Sequence, residues 1–407
     1  MSRPIEFLSG HTVQLLQGAQ QLFPALVLAM DAAQRSVRFE TYICDFSDSG
    51  ATIGEALERA ALRGVEVQLL ADGFGTGGVP TEWLERLAAA GVHYQIYAPL
   101  GTFGLLLPQR WRRLHRKLCV VDEALLFCGG INLLDDFRDP NHGRLDAPRF
   151  DFAVRVQGPI AVQADASMRT VWWRMQAADA ARARHLREAS AALRAVPARA
   201  HQKQAEKSGA PRGVRAAFLL RDNLRHRSGI ESAYLRAIAQ ARSDIIIANA
   251  YFVPGRRLRR ALKLAAKRGV RVRLLLQGRY EYFLQFHAAR PVYGNLLEAG
   301  IEIHEYAPSF LHAKVAVIDA DGPNPWATVG SSNLDPLSLL LAKEANVAVA
   351  DPAFAQELRA RLVDAMEHAG HAIDAREYAA RPWKARVLDR IAFWLVRLAI
   401  WVNGKVY

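Results

Sequence analysis

The chain has 407 residues, 51% hydrophobic and 23% charged, which argues against overall disorder and leaves room for two domains or one large pseudo-symmetric unit. Its net charge of +13 suits an anionic partner, either nucleic acid or an anionic lipid surface. Cys44, Cys119 and Cys128 are too few and too scattered for a disulfide framework or a zinc knuckle, and read as free thiols of a reducing compartment.

Near the N-terminus, Leu15, Ala19, Leu22 and Leu26 recur at helical spacing, and interspersed glutamines argue against a signal peptide. Strand-like apolar runs follow at Val37–Ile43, Val65–Leu70, Val92–Tyr97 and Leu118–Val121, with helical stretches at Ile53–Arg63 and Glu82–Ala90 between them. Residues 177–213, rich in Ala, Arg, Gln and Lys, predict a helix and then a polar linker. The strand pattern resumes at Ile245–Ala250, Val270–Leu276, Ile301–Tyr306 and Val315–Ile318. This divides the chain into a first half (1–176), a linker (177–213), a second half (214–370) and a C-terminal helical segment (371–407). The apolar run Ile391–Val402 contains Arg397 and is shorter than the roughly 20 residues a membrane span needs. The expected fold class is α/β, with two α/β/α sandwich halves built on mixed sheets.

The halves repeat in the same order. Ala60–Gly73 (AALRGVEVQLLADG) echoes Ala265–Gly278 (AAKRGVRVRLLLQG), and Phe39–Ile43 (FETYI) echoes Ala248–Phe252 (ANAYF). Leu114–Asp122 (LHRKLCVVD) echoes Leu311–Asp319 (LHAKVAVID), and Cys128–Asn132 (CGGIN) echoes Val329–Asn333 (VGSSN). Gly91 and Gly300 are 209 positions apart but His115 and His312 only 197, so the first half carries twelve extra residues within Leu100–Leu114. A GxGxxG match at Gly73–Gly78 lacks the acidic residue about 20 positions on that a dinucleotide site wants, and reads as a loop variant.

The doubled motif is where the chemistry concentrates. His115 and Lys117, like His312 and Lys314, are two apart and share a face if the segment is a strand. Asp122 and Asp319 lie where each strand ends. Gly130 and Asn132, with Ser331 and Asn333 as counterparts, follow in a small-residue turn that lets backbone N–H groups approach an anion. Two imidazoles, two ammonium groups and two amides suit phosphodiester transfer. One histidine attacks phosphorus while the other protonates the leaving oxygen and then deprotonates the incoming alcohol. The lysines supply the positive charge that the phosphoryl oxygens need, so neither a metal nor a cofactor is expected.

These residues resemble the phospholipase D superfamily, whose signature is this doubled motif, and within it the shorter bacterial cardiolipin synthases. The resemblance runs over most of residues 36–350 and rests on ETYICDF, LHRKLCVVD, GGIN and DFAVRVQGP in the first half. In the second it rests on IANAYFVPGRRL, RGVRVRLLLQG and TVGSSNLDPLSLLLAKEANVAV. It implies a site where the two halves meet, and transfer of a phosphatidyl group from phosphatidylglycerol to another lipid. It further implies that His115 is the nucleophile, that His312 is the acid and base, and that Asp151 and Glu344 orient the histidines. Asp151 stands where Glu is commoner in the family, which puts its reach in question. Asp122 and Asp319 belong to the motif but suit a local structural role better than that of a base.

The implied partners are an anionic phospholipid substrate and a membrane surface, reached peripherally from the cytoplasmic face, with no obligatory nucleic acid. Leu105–Leu107 beside Arg110–Arg113 in the insertion, the Trp- and Arg-bearing stretch Val387–Val402, and nine Lys or Arg within Arg256–Arg273 all suit a bilayer interface. The residues alone leave open a hydrolase releasing phosphatidic acid, a nuclease, and an inactive binding module.

Overall fold

A computed structural model describes residues 5–99, 112–182, 191–192, 194, 213–222, 228–279, 283–335 and 342–402. The first half contributes strands β1 (Leu8–Gln17), β2 (Ser36–Thr41), β3 (Glu66–Asp72), β4 (His93–Tyr97), β5 (Arg113–Leu114), β6 (Leu118–Val121) and β7 (Leu125–Gly129). A short hairpin, β8 (Arg138–Asp139) and β9 (Gly143–Arg144), follows, and then β10 (Phe152–Gln157). The second half contributes β11 (Val214–Arg221), β12 (Asp244–Asn249), β13 (Arg271–Gln277), β14 (Glu302–Tyr306), β15 (Lys314–Ile318), β16 (Trp326–Gly330), β17 (Ala342–Ala350) and β18 (Gly370–Ala372).

In spatial order the first half runs β1-β10-β7-β6-β2-β3-β4 and the second β11-β17-β16-β15-β12-β13-β14. The topology is the same, with parallel β2-β3-β4 and β12-β13-β14 and antiparallel pairs elsewhere, so both sheets are mixed as the sequence pattern predicts. Strands β1 and β11 pair antiparallel where the halves meet and join the two sheets into one. That strand corrects the N-terminal expectation. Leu15 belongs to β1, and the helix starts after Gly18, whose φ of 71° breaks the strand.

Helices α1 (Ala19–Ala32), α2 (Ala51–Leu62) and α3 (Thr81–Ala89) cover the outer face of the first sheet. The outer face of the second is covered by α5 (Gly229–Gln240), α6 (Arg256–Lys267) and α7 (Phe283–Leu297). Between the inner faces lies a shared core. Leu118, Val120, Leu126, Phe152 and Val154 of one half pack with Val315, Val317, Val329, Val347 and Val349 of the other, completed by α4 (Ile160–Arg182) and α8 (Pro352–His368). Burying each such side chain contributes about 1.5–3 kcal/mol, so the halves are held together by a hydrophobic core rather than by surface contacts. The helix expected from 177 starts at Ile160, so the boundary drawn at 176 falls inside α4. A short helix, α9 (Ala375–Ala379), and the 20-residue α10 (Trp383–Val402) end the described chain.

Candidate active site

Each motif begins just outside its own sheet and is stitched to the other half. Arg113 and Leu114 of β5 pair in parallel with Ala342 and Lys343 of β17, and the His115 N–H donates to the Lys343 carbonyl at 3.0 Å. Symmetrically, Leu311 bridges Phe150, and the His312 N–H donates to the Phe150 carbonyl at 2.9 Å. The preceding residue is clamped alike in both copies. Asp72 accepts from the Leu114 N–H at 2.7 Å, and its repeat counterpart Gln277 accepts from the Leu311 N–H at 3.1 Å. His115 and Lys117 therefore precede strand β6 instead of lying within it, while Lys314 opens β15.

This stitching brings each histidine to the acid of the opposite half. Nδ1 of His115 lies 3.0 and 3.1 Å from the two carboxylate oxygens of Glu344. Nδ1 of His312 lies 2.7 Å from Oδ2 of Asp151, so the shorter acid does reach its partner. The two grips are built differently. Glu344 is fixed by the Ser331 hydroxyl, which donates to it at 2.5 Å. Asp151 instead packs against Gly130, where a Cβ would come within 2.3 Å of Oδ1. The one-carbon-shorter acid thus sits where the other copy keeps a side chain.

Each lysine folds back on its motif, Lys117 Nζ donating to the His115 carbonyl at 3.0 Å and Lys314 Nζ to the His312 carbonyl. Burial pulls the Lys117 ammonium down to about 7, and the positive charge of Lys314 adds to that. Burial, with the Lys314 and Lys117 charges, holds His312 well below the ordinary imidazole value. His115 is lowered too, again chiefly by burial, and Glu344 works against the shift. Burial lifts Asp151 to about 7, opposed by Lys314. The four basic groups feel one another's charge, which defines one cluster built from both halves and poised for an anion.

Asp122 and Asp319 are not part of it. Each turns at positive φ at the far end of its strand and accepts the backbone N–H groups of a neighbouring turn: Gln34, Arg35 and Ser36 for Asp122, Arg242, Ser243 and Asp244 for Asp319. Asn132 accepts from the Ile43 N–H at 3.2 Å, while the buried Oδ1 of Asn333 makes no hydrogen bond among the described residues.

Sequence reasoning missed several supports. The Tyr42 ring meets His115 edge-on with centroids 4.8 Å apart, and Lys117 Nζ lies 5.2 Å from the same ring. Tyr42 stands in the FETYI echo, which could have flagged it. Between His115 and Lys117, Arg116 points the other way into a buried ion pair with Glu40 at 2.7 Å and a hydrogen bond to Ser167 of α4. The second copy has Ala313 and Asn249 at these places, so this pin belongs to the first motif alone. Of the insertion Leu100–Leu114, residues 100–111 lie outside the described residues.

A double-histidine site shared by duplicated α/β halves defines a phosphoryl-transfer architecture, and similarity to known proteins agrees. The family described as "Cardiolipin synthase, PLD-like domain" matches residues 26–141 and 234–365. Cardiolipin synthase B of Salmonella typhi is 35% identical over 397 residues, covering 95% of this chain and 88% of that protein, and the Escherichia coli K12 protein of the same name is 36% identical over the same span. Among solved structures, phosphatidylserine synthase of Haemophilus influenzae superimposes with a TM-score of 0.66 at 12% identity, covering 99% of this chain and 97% of that one. Polyphosphate kinase of Porphyromonas gingivalis gives 0.57 at 14% identity, over 95% of this chain and 53% of that one. These two likenesses concern the fold. The chain belongs to the cardiolipin synthase family with phospholipase D-like domains.

Proposed function

We propose that this protein is a cardiolipin synthase that moves a phosphatidyl group between two phosphatidylglycerol molecules through a phospho-histidine. The observation that carries the reading is the crossed pair of clasps, His115 with Glu344 and His312 with Asp151. A carboxylate on Nδ1 fixes the ring and leaves Nε2 to act on substrate. His115 is gripped by both oxygens of its acid and packed by Tyr42, which suits the nucleophile, since attack on phosphorus needs a fixed line of approach.

In the first step the His115 Nε2 lone pair attacks phosphorus, the bond from phosphorus to the glycerol oxygen breaks, and His312 Nε2–H protonates that oxygen. In the second, His312 takes the proton of the second lipid's hydroxyl, the resulting oxygen attacks phosphorus, and the P–N bond breaks. Lys117 and Lys314 hold the non-bridging oxygens. The bound phosphodiester offsets the ammonium charges that depress His312 and so raises it towards the value an acid needs. Acid–base assistance of this kind is typically worth about 10²–10⁴-fold. Asp122 and Asp319 hold the turns and take no part in the chemistry. The protein acts as a peripheral enzyme on a membrane surface, and its three buried free thiols suit the cytoplasmic face.

Purified protein with phosphatidylglycerol vesicles and a chelator should yield cardiolipin and glycerol by mass spectrometry. His115→Asn and His312→Asn should each abolish it, and rapid quench of the parent enzyme during turnover should trap phosphorus on His115. Phosphatidic acid as the sole product would replace transfer by hydrolysis, and cardiolipin formed by either variant would end the two-histidine reading.

A further inference from the structure

Helix α10 presents two unlike faces. Asp389 and Ala392 are buried, Asp389 lying 2.7 Å from His287 of α7 and 3.1 Å from Arg381 in the turn before α10. The opposite face carries Trp383, Val387, Ile391, Trp394 and Leu395, all exposed, with Trp383 at 65%, Ile391 at 53% and Trp394 at 62%. At 3.6 residues per turn these five fall within an arc of about 120° and span about 18 Å of helix axis. Large apolar side chains do not ordinarily line up in solvent in this way. Arg386 and Arg390 are exposed to one side of the stripe, and Lys384 is exposed near its other edge.

A second observation adjoins it. α7, which seats α10, also supplies Asn295 and Leu296 to a groove of about 430 Å³ whose other wall is α6, with Arg256, Arg259, Arg260, Lys263 and Lys267. Helix α6 carries Arg256 and Arg257 in its first turn and no acid there, an arrangement the helix dipole disfavours. A polyanionic surface relieves that dipole and matches the positive charge of Arg256, Arg260, Lys263 and Lys267. Helices α6, α7, α9 and α10 all contribute to the core on the same outer face of the second sheet, and the basic groove and the stripe-bearing helix both border α7.

We propose that this face docks on an anionic phospholipid bilayer, α10 lying flat at the headgroup level with its tryptophan-bearing stripe inserted and the α6 groove holding anionic headgroups beside it. Amphipathic helices with tryptophan on one side and cations on the rim bind interfaces in this way. No described helix is long and apolar enough to cross a membrane, and α10 is held to the protein through Asp389. The inference rests on the lipid-substrate reading but adds where the enzyme touches the membrane.

The test is flotation of the full chain with vesicles of phosphatidylcholine containing phosphatidylglycerol, which needs no turnover. His312→Asn protein should float like the parent, so a failed transfer reaction and a failed docking surface are read separately. Ile391→Asp/Trp394→Asp should lower vesicle partition on the order of tenfold or more, as expected for two lost insertions. Arg256→Glu/Arg260→Glu should weaken binding to anionic vesicles and leave binding to pure phosphatidylcholine unchanged. Because all four positions are at the surface, circular dichroism should match the parent. Brominated lipid should quench tryptophan fluorescence in the parent and less in Trp383→Phe/Trp394→Phe. Flotation of the aspartate variant equal to the parent would overturn the proposal. So would a solution mass of twice the chain that halves in that variant, since the stripe would then be a protein–protein interface.

Discussion

The acid–glycine pair in the first half predicts an outcome that the motif alone does not. Gly130→Ser introduces a Cβ that the present geometry places 2.3 Å from Asp151 Oδ1 and 2.6 Å from Oδ2. Gly130 has no positive φ, so the backbone accepts serine and the conflict falls on the carboxylate. To regain ordinary contact the carboxylate must retreat by about 1 Å, which takes its 2.7 Å bond to His312 outside hydrogen-bond range. A charge-assisted hydrogen bond is worth about 1.5–3 kcal/mol, so turnover should fall about 10- to 150-fold. Asp151→Glu alone should also fall, because the longer chain overshoots a site packed for aspartate. The double variant Gly130→Ser/Asp151→Glu reproduces the Ser331–Glu344 arrangement of the other copy and should recover to within about fivefold of the parent, a coupling expected only of residues in contact. The assay is the initial rate of cardiolipin formation from phosphatidylglycerol vesicles, with urea unfolding to confirm each variant is folded. Gly130→Ser within twofold of the parent, or a double variant no better than the product of the singles, would refute this account of the clasp.

Two further outcomes are expected. Lys117, pulled to about 7, must be charged to hold phosphate, and Asp151, lifted to about 7, must be ionised to hold an imidazolium. kcat/KM, which reports the free enzyme, should therefore fall above about pH 7 as Lys117 loses its proton and below it as Asp151 gains one. The two apparent values belong to the cluster as a whole, and a flat profile from pH 6 to 9 would contradict the reading. Asp122→Ala and Asp319→Ala should each cost about 1–2 kcal/mol of unfolding free energy, discounted for their partial exposure, and leave turnover per folded molecule unchanged. Against the upward push of burial, backbone N–H groups hold both carboxyls below their usual range. Their stabilisation is thus present above the unfolded value near 4 and lost as pH falls through the lower folded one, and each alanine variant should flatten that acid limb in denaturant titrations.

The sequence pattern showed the repeat, most strands and the reacting side chains, because each is a local signal: alternation of apolar residues, motif spacing, small residues after a strand. It did not show that β1 and β11 join the sheets. In LSGHTVQLLQ the leucines fit helical spacing with the residues after Gly18, and only pairing with β10 and β11 decides for a strand. Nor did it show which acid serves which histidine, since that depends on β5 pairing with β17 across 229 positions. The role of Asp72 and Gln277 was hidden for another reason. They differ in type, and their likeness is visible only in the amide each one holds.

The crossed clasps carry a consequence for the history of the chain. A single half folded by itself would own a histidine and an acid that never meet, because each acid reaches only the histidine of its counterpart. Two identical copies related by a two-fold axis through the β1–β11 position would satisfy both, as a closed isologous dimer does. Fusion of such a pair would free the copies to diverge, but only in matched steps across the seam. Asp151 with Gly130 and Glu344 with Ser331 are two solutions to one packing problem, and Arg116 with Glu40 is a pin that one copy has and the other lacks.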